Sequence, residues 1–149
     1  MKTGILCKAS EFGKIIINTC LSKNISINTL KLEKLLIIMQ GVMLSKYNQA
    51  LFHEPVIYNN KAGFVIPRVD KDFVYGAVSF NEPETEYVLL LDKQHEVMHE
   101  VLKKYGKYNT FELEELYPLK KLRNMIISNG KSVYVLPYYI KKAFQHIII

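Results

Sequence analysis

A chain of 149 residues and 17.3 kDa, 49% hydrophobic and 23% charged, has the size and composition of one globular domain spanning 1–149, and extended disorder is excluded. A domain of this length buries roughly 70% of its unfolded surface. The net charge is +6 but only Arg68 and Arg123 are arginines, so lysines carry nearly all of it; they can neutralise phosphates without reading sequence, which argues against sequence-specific base recognition.

The opening MKTGILCKASEFGK has neither a long apolar run nor a small-residue cleavage site, and the expectation is an intracellular, cytoplasmic protein of a bacterium or an infected cell. Cys7 and Cys20 lack C-x-x-C spacing and read as inert thiols of a reducing compartment. From Ser10 to Leu21, Phe12, Ile15, Ile16, Thr19 and Cys20 recur at helical spacing, with Ser10 as the expected N-cap. Asn28 is placed to cap the next helix. That helix, in the stretch 28–54 and with its pattern changing after Tyr47–Gln49, is apolar at Leu30, Leu32, Leu35 to Met39 and Val42 to Leu44, which is more than one stripe. It should be buried on several sides, with other helices packed around it. Gln40, Ser45 and Lys46 make it too polar for a membrane span.

Phe52, Val56 and Tyr58 alternate with polar residues and Pro55, predicting a short strand at a sheet edge. A turn over 59–63 leads to a second strand, Phe64 to Ile66, and Val74 to Phe80 reads as a third. Tyr87 to Leu91 is apolar, Asp92 is the expected cap of a helix, and Gly106 ends that helix. Thr110 is the expected cap of another, with Leu113, Leu116 and Phe111 inward and Glu112 and Glu114 at its positive end. Pro118 interrupts, a helix follows over 119–128, and 129–130 form a turn. Val133 to Val135 is extended, and Pro137 opens a last helix to about Gln145. The fold class predicted is mainly α (α+β): a helical bundle around a buried central helix, with a small antiparallel β-sheet.

The run Lys31-Leu32-Glu33-Lys34-Leu35-Leu36, then Gln40-Gly41, Tyr47 and Leu51-Phe52-His53-Glu54, resembles the opening of the Panacea domain, also met as a phage-associated domain. Tyr58 stands near that family's tryptophan, 62–67 replaces its G-P-V-x-P segment, and the ending GKSVYVLPYYIKKAF is similar to its closing pattern; residues 68 to 90 are an unmatched insert. The resemblance implies a non-enzymatic protein-binding module, antitoxin-like or adaptor-like, whose partner is a toxin, a protease or a host protein. It implies no cofactor.

On this reading Lys31, Lys34, Tyr58, Phe64, Pro67 and Arg68 form the partner-binding set. Aromatic anchors are rimmed by lysines, with the alternatives that the aromatics pack on the central helix and the lysines form a solvated face. Gln40, Phe52 and Gly63 are structural anchors, Gln40 holding the loop around Gly63 because a buried amide needs partners. The competing chemical signal is His95-Glu96-Val97-Met98-His99, a formal H-E-x-x-H. In zinc hydrolases this spacing puts two imidazoles on one helix face with a glutamate to activate water. A third ligand would be Glu112, Glu114 or Glu115. Histidines at the border of an amphipathic helix explain the motif fully, so no residue is assigned as catalytic or metal-binding. Lys103, Lys104, Lys107, Lys120, Lys121, Lys141 and Lys142 permit non-specific nucleic-acid contact, or form a scattered solvated surface. The apolar tail 147–149 either closes the core or seals a dimer, and the sequence leaves the oligomeric state open.

Overall fold

The computed structural model describes residues 8–75, 91–126 and 130–147. Its centre is helix α2 (Thr29–Tyr47), in which every residue from Lys31 to Leu44 is buried. Asn28 caps it as expected, accepting the Lys31 N–H at 2.9 Å, and Asn48 closes it in the left-handed conformation. A helix with no polar stripe must be enclosed on all sides. It is packed by α1 (Ala9–Ser22), α3 (Pro67–Asp70), α4 (Asp92–Tyr105), α5 (Thr110–Glu114) and α7 (Pro137–Phe144), and α6 (Tyr117–Asn124) packs on α7. Gly41 lets α7 come close: a methyl group there would lie 2.2 Å from the Phe144 ring.

Three strands form one antiparallel sheet, β1 (Val56–Asn59), β2 (Gly63–Val65) and β3 (Val133–Val135), in the order β2-β1-β3. Ile57 pairs with Val65 on one side and Tyr134 on the other. The expectation of an edge strand at Val56–Tyr58 is therefore corrected: β1 is central. Pro55 precedes the ladder and removes no hydrogen bond from it, while β3 arrives from far along the chain to cover the second side. The mainly helical fold around a buried central helix, with a small antiparallel sheet, is as the sequence predicts.

Several boundaries move for local reasons. Helix α1 starts at Ala9, and Ser10 is not its cap; its hydroxyl donates instead to Asp72. Helix α4 starts at Asp92 with Leu91 as the N-cap, and it ends at Gly106 as anticipated. The cap of α5 is Asn109, not Thr110: its side chain accepts from Glu112 N while Glu112 accepts from Asn109 N, each at 2.8 Å. Pro118 opens α6 rather than interrupting, because a first-turn proline sacrifices no helical bond. Phe111 points outward, not into the core. Residues 71–75 continue α3 as a π-helical turn, so the strand expected at Val74 to Phe80 does not begin there; its remainder, the 87–90 segment, Cys7 and the tail beyond 147 lie outside the described residues.

Candidate functional site

Four polar side chains of α2, Lys31, Glu33, Lys34 and Gln40, are inside the protein, and each ties down irregular backbone that would otherwise lack a partner. Lys31 donates to the carbonyls of Ser26 and Gly106, both at 2.7 Å, joining the α1–α2 link to the end of α4. Burial lowers its pKa, with Cys20 and Glu112 opposing. Lys34 is fully buried and donates to the Ala62 carbonyl at 2.6 Å and to that of Phe64; it also pairs with Glu114 at 3.1 Å. Glu33, one residue earlier, accepts the Ile66 N–H at 2.7 Å. Glu114 returns from α5 to accept the Phe64 N–H at 3.1 Å.

These contacts correct the expected partner-binding set. Lys31 and Lys34 neither rim a docking surface nor form a solvated face; they are internal struts. Phe64 is also internal, its ring fully buried and 4.8 Å from that of half-buried Tyr58. Only Pro67 and Arg68 of the set are exposed, and Arg68 is paired with Asp72 at 3.3 Å. The set is not brought together as one surface.

The structural anchors also rearrange. Gln40 holds the Leu51–Phe52 corner rather than the Gly63 loop: it donates to Phe52 O at 2.8 Å and accepts from Leu51 N at 2.6 Å. Phe52 is buried. Gly63 has φ +74°, and a methyl group there would meet the Glu114 carboxylate at 2.5 Å. The Gly63 turn is therefore held by Lys34, Glu33 and Glu114 together.

Glu33 is the most perturbed carboxyl of this group. Burial raises its pKa to about 7, with the Ile66 hydrogen bond and Lys34 opposing and Asp70 reinforcing. One of its oxygens, Oε1, has no hydrogen-bond partner among the described residues.

On α4 the glutamate of the H-E-x-x-H motif is engaged. Glu96 accepts from Lys46 Nζ at 3.0 Å and Tyr47 OH at 2.9 Å, contacts that lower its pKa. The His95 and His99 rings lie 4.7 Å apart, and burial followed by His95 and Lys23 lowers the pKa of His99. The third ligands considered are engaged elsewhere: Glu112 in its cap, Glu114 with Lys34, Glu115 with Arg123 at 3.6 Å. Among the described residues no group of three or more His, Cys, Asp or Glu side chains could hold a metal ion. A pocket of about 480 Å³ opens at the C-terminal ends of α2 and α7, beside Lys46, Glu100 and His146, but its lysine is already 3.6 Å from Glu100.

The surface most unlike the rest is one the sequence reading did not single out. Tyr134, Leu136, Tyr138 and Tyr139 are all exposed on β3 and the first turn of α7, and Tyr117 is exposed at the start of α6, which packs on α7. The Tyr138 and Tyr139 rings meet edge to face, and Lys142 lies over Tyr138. The charge is as uneven as the exposure. Residues 1–116 contain equal numbers of basic and acidic side chains, while 117–149 contain Lys120, Lys121, Arg123, Lys131, Lys141 and Lys142 and no Asp or Glu. The whole formal excess of +6 thus sits in the segment that builds α6, β3 and α7. The absence of acids after Glu115 is the signal that would have found it. Among the described residues, no helix is long and apolar enough to cross a membrane. No family model, curated protein or solved structure matches the chain.

Proposed function

We propose that this chain is a non-enzymatic protein-binding module, of the antitoxin or proteolytic-adaptor kind that its resemblance to the Panacea domain implies. It acts by occupying a partner's working surface. The observation that supports the reading is the α6, β3 and α7 segment, where Tyr117, Tyr134, Leu136, Tyr138 and Tyr139 stand exposed, Lys142 lies over Tyr138, and every charged side chain of 117–149 is basic. Binding energy at protein interfaces is concentrated in such anchors, with polar residues at the rim. Clustered exposed aromatic surface of this kind marks interaction sites.

Body and face have separate roles. The buried struts of α2 fix the hairpin on which β3 pairs, and a surface built on a fixed hairpin loses less ordering entropy on binding. The experiment is affinity capture from source cells, using the wild-type chain beside a Tyr134→Ser, Leu136→Ser, Tyr138→Ser variant of equal stability. A partner retained by the first and lost by the second supports the module. A wild-type chain that retains nothing specific, or a partner insensitive to the triple change, contradicts it.

A further inference from the structure

The two edges of the sheet are not equivalent, and their backbone polarity can be traced residue by residue. Phe64 turns its N–H to Glu114 and its carbonyl to Lys34, away from β1. Antiparallel pairs alternate between bonded and non-bonded, so Gly63 and Val65 face β1. Val56 and Tyr58 of β1 must then face β3, where their partners are Val135 and Val133. Tyr134, between those two, directs its own N–H and C=O out of the sheet. Among the described residues neither group has a hydrogen-bond partner. The Tyr134 side chain is 70% exposed, and Leu136 and Tyr138 follow it at 57% and 61%.

Sheets guard a free edge with short strands, lysines and proline. Strand β3 is short and preceded by Lys131, but at its outward-facing residue it carries the exposed ring of Tyr134 where a guarded edge would carry charge. We propose that β3 accepts an additional strand from an acidic, extended polypeptide segment: the outward N–H and C=O of Tyr134 bond to the incoming backbone, and Lys121, Lys131, Lys141 and Lys142 meet its carboxylates. None of these four lysines forms an ion pair among the described residues. Strand addition draws affinity from main-chain bonds and specificity from flanking side chains. The inference rests on the protein-binding reading and adds the mode and chemistry of the partner.

Charge decides between occupants. A second copy pairing β3 with β3 would juxtapose two segments that each carry six basic and no acidic residues. A nucleic acid would suit the lysines and rings, but it has no use for a donor and acceptor at strand spacing.

The test is a titration of the intact protein with a labelled synthetic peptide of about six residues, an ordinary strand length, alternating glutamate with valine. Its companions are the same peptide N-methylated at alternate amides, a lysine-for-glutamate version, and oligo(dT). Tyr134→Pro removes the outward N–H while leaving the β1 ladder and the unfolding midpoint intact, and Tyr134→Ala keeps that N–H. The acidic peptide binds and weakens with added salt; N-methylation or Tyr134→Pro weakens it about tenfold, as the loss of one or two hydrogen bonds requires. Tyr134→Ala costs less, and the lysine peptide does not bind. Binding unmoved by Tyr134→Pro and by N-methylation, yet lost in Lys131→Glu with Lys142→Glu, overturns strand addition while leaving a basic protein-binding face. Absence of peptide binding overturns the proposal outright. Oligo(dT) binding in its place assigns the face to nucleic acid. A dimer in sedimentation that Tyr134→Pro dissolves assigns the edge to a second copy.

Discussion

The two borders of one small sheet solve the same problem in opposite ways. At β2 the outward N–H and C=O of Phe64 are met by Glu114 and Lys34, and the Ile66 N–H just beyond the strand is met by Glu33. At β3 the corresponding groups of Tyr134 have no partner among the described residues, and its ring is exposed. A buried helix that uses charged side chains to seal one border shows that this protein has the means to close a strand edge. The other border is open because its neighbours are aromatic and basic instead. On the proposed reading, one side of the comparison carries stability and the other carries recognition.

The largest effect is expected from breaking the sealed border. Lys34→Ala removes two hydrogen bonds to the hairpin and leaves the largely buried Glu114 without its ammonium, a change that costs about 3–5 kcal/mol when one partner of a buried pair is deleted. Denaturant unfolding measures it, and a loss below about 1 kcal/mol would mean that the strut is ornamental.

Glu33 sharpens the same point through pH. Its carboxyl titrates at about 7 in the folded protein against an ordinary 4.5. Between these values the unfolded chain loses its proton first, so the stabilisation is complete below about pH 4.5 and falls as pH rises through 7. The total is about 3 kcal/mol for a shift of this size. In Glu33→Gln that component of the pH dependence disappears, which paired unfolding curves at pH 4 and pH 8 will display.

Gly63→Ala places a side chain at φ +74° and against the Glu114 carboxylate. A cost of about 1–3 kcal/mol follows from strain and crowding together, read from the unfolding midpoint. At the open border the expectation is the reverse. Tyr134→Ser and Tyr138→Ser, both exposed, should stay within about 0.5 kcal/mol of wild type in stability. They should nonetheless reduce partner binding.

What the sequence disclosed and what it hid follow from how far apart the determining residues lie. The caps at Asn28 and Gly106, the Gly63 turn and the opening of α7 at Pro137 depend on neighbours in the chain, and they were legible. The central position of β1 depends on β3, which no local pattern announces. The fate of Lys31 and Lys34 was legible in part: a helix with no polar face has nowhere outside to put its lysines. Habit assigns lysine to solvent, yet here three carbonyls from the hairpin and the α4–α5 turn, with a fourth before α2, reward its burial. Tyr134 was hidden because a tyrosine in a strand reads equally as core or surface until its alternation with buried Val135 is known.

Amide hydrogen exchange at two positions tests the central contrast most directly. The Phe64 N–H, bonded to Glu114, should exchange slowly with or without a partner; the Tyr134 N–H should exchange fast in the isolated protein and become protected when the acidic peptide is added. Rapid exchange at Phe64, or a Tyr134 amide whose rate the bound peptide leaves unchanged, would contradict the account.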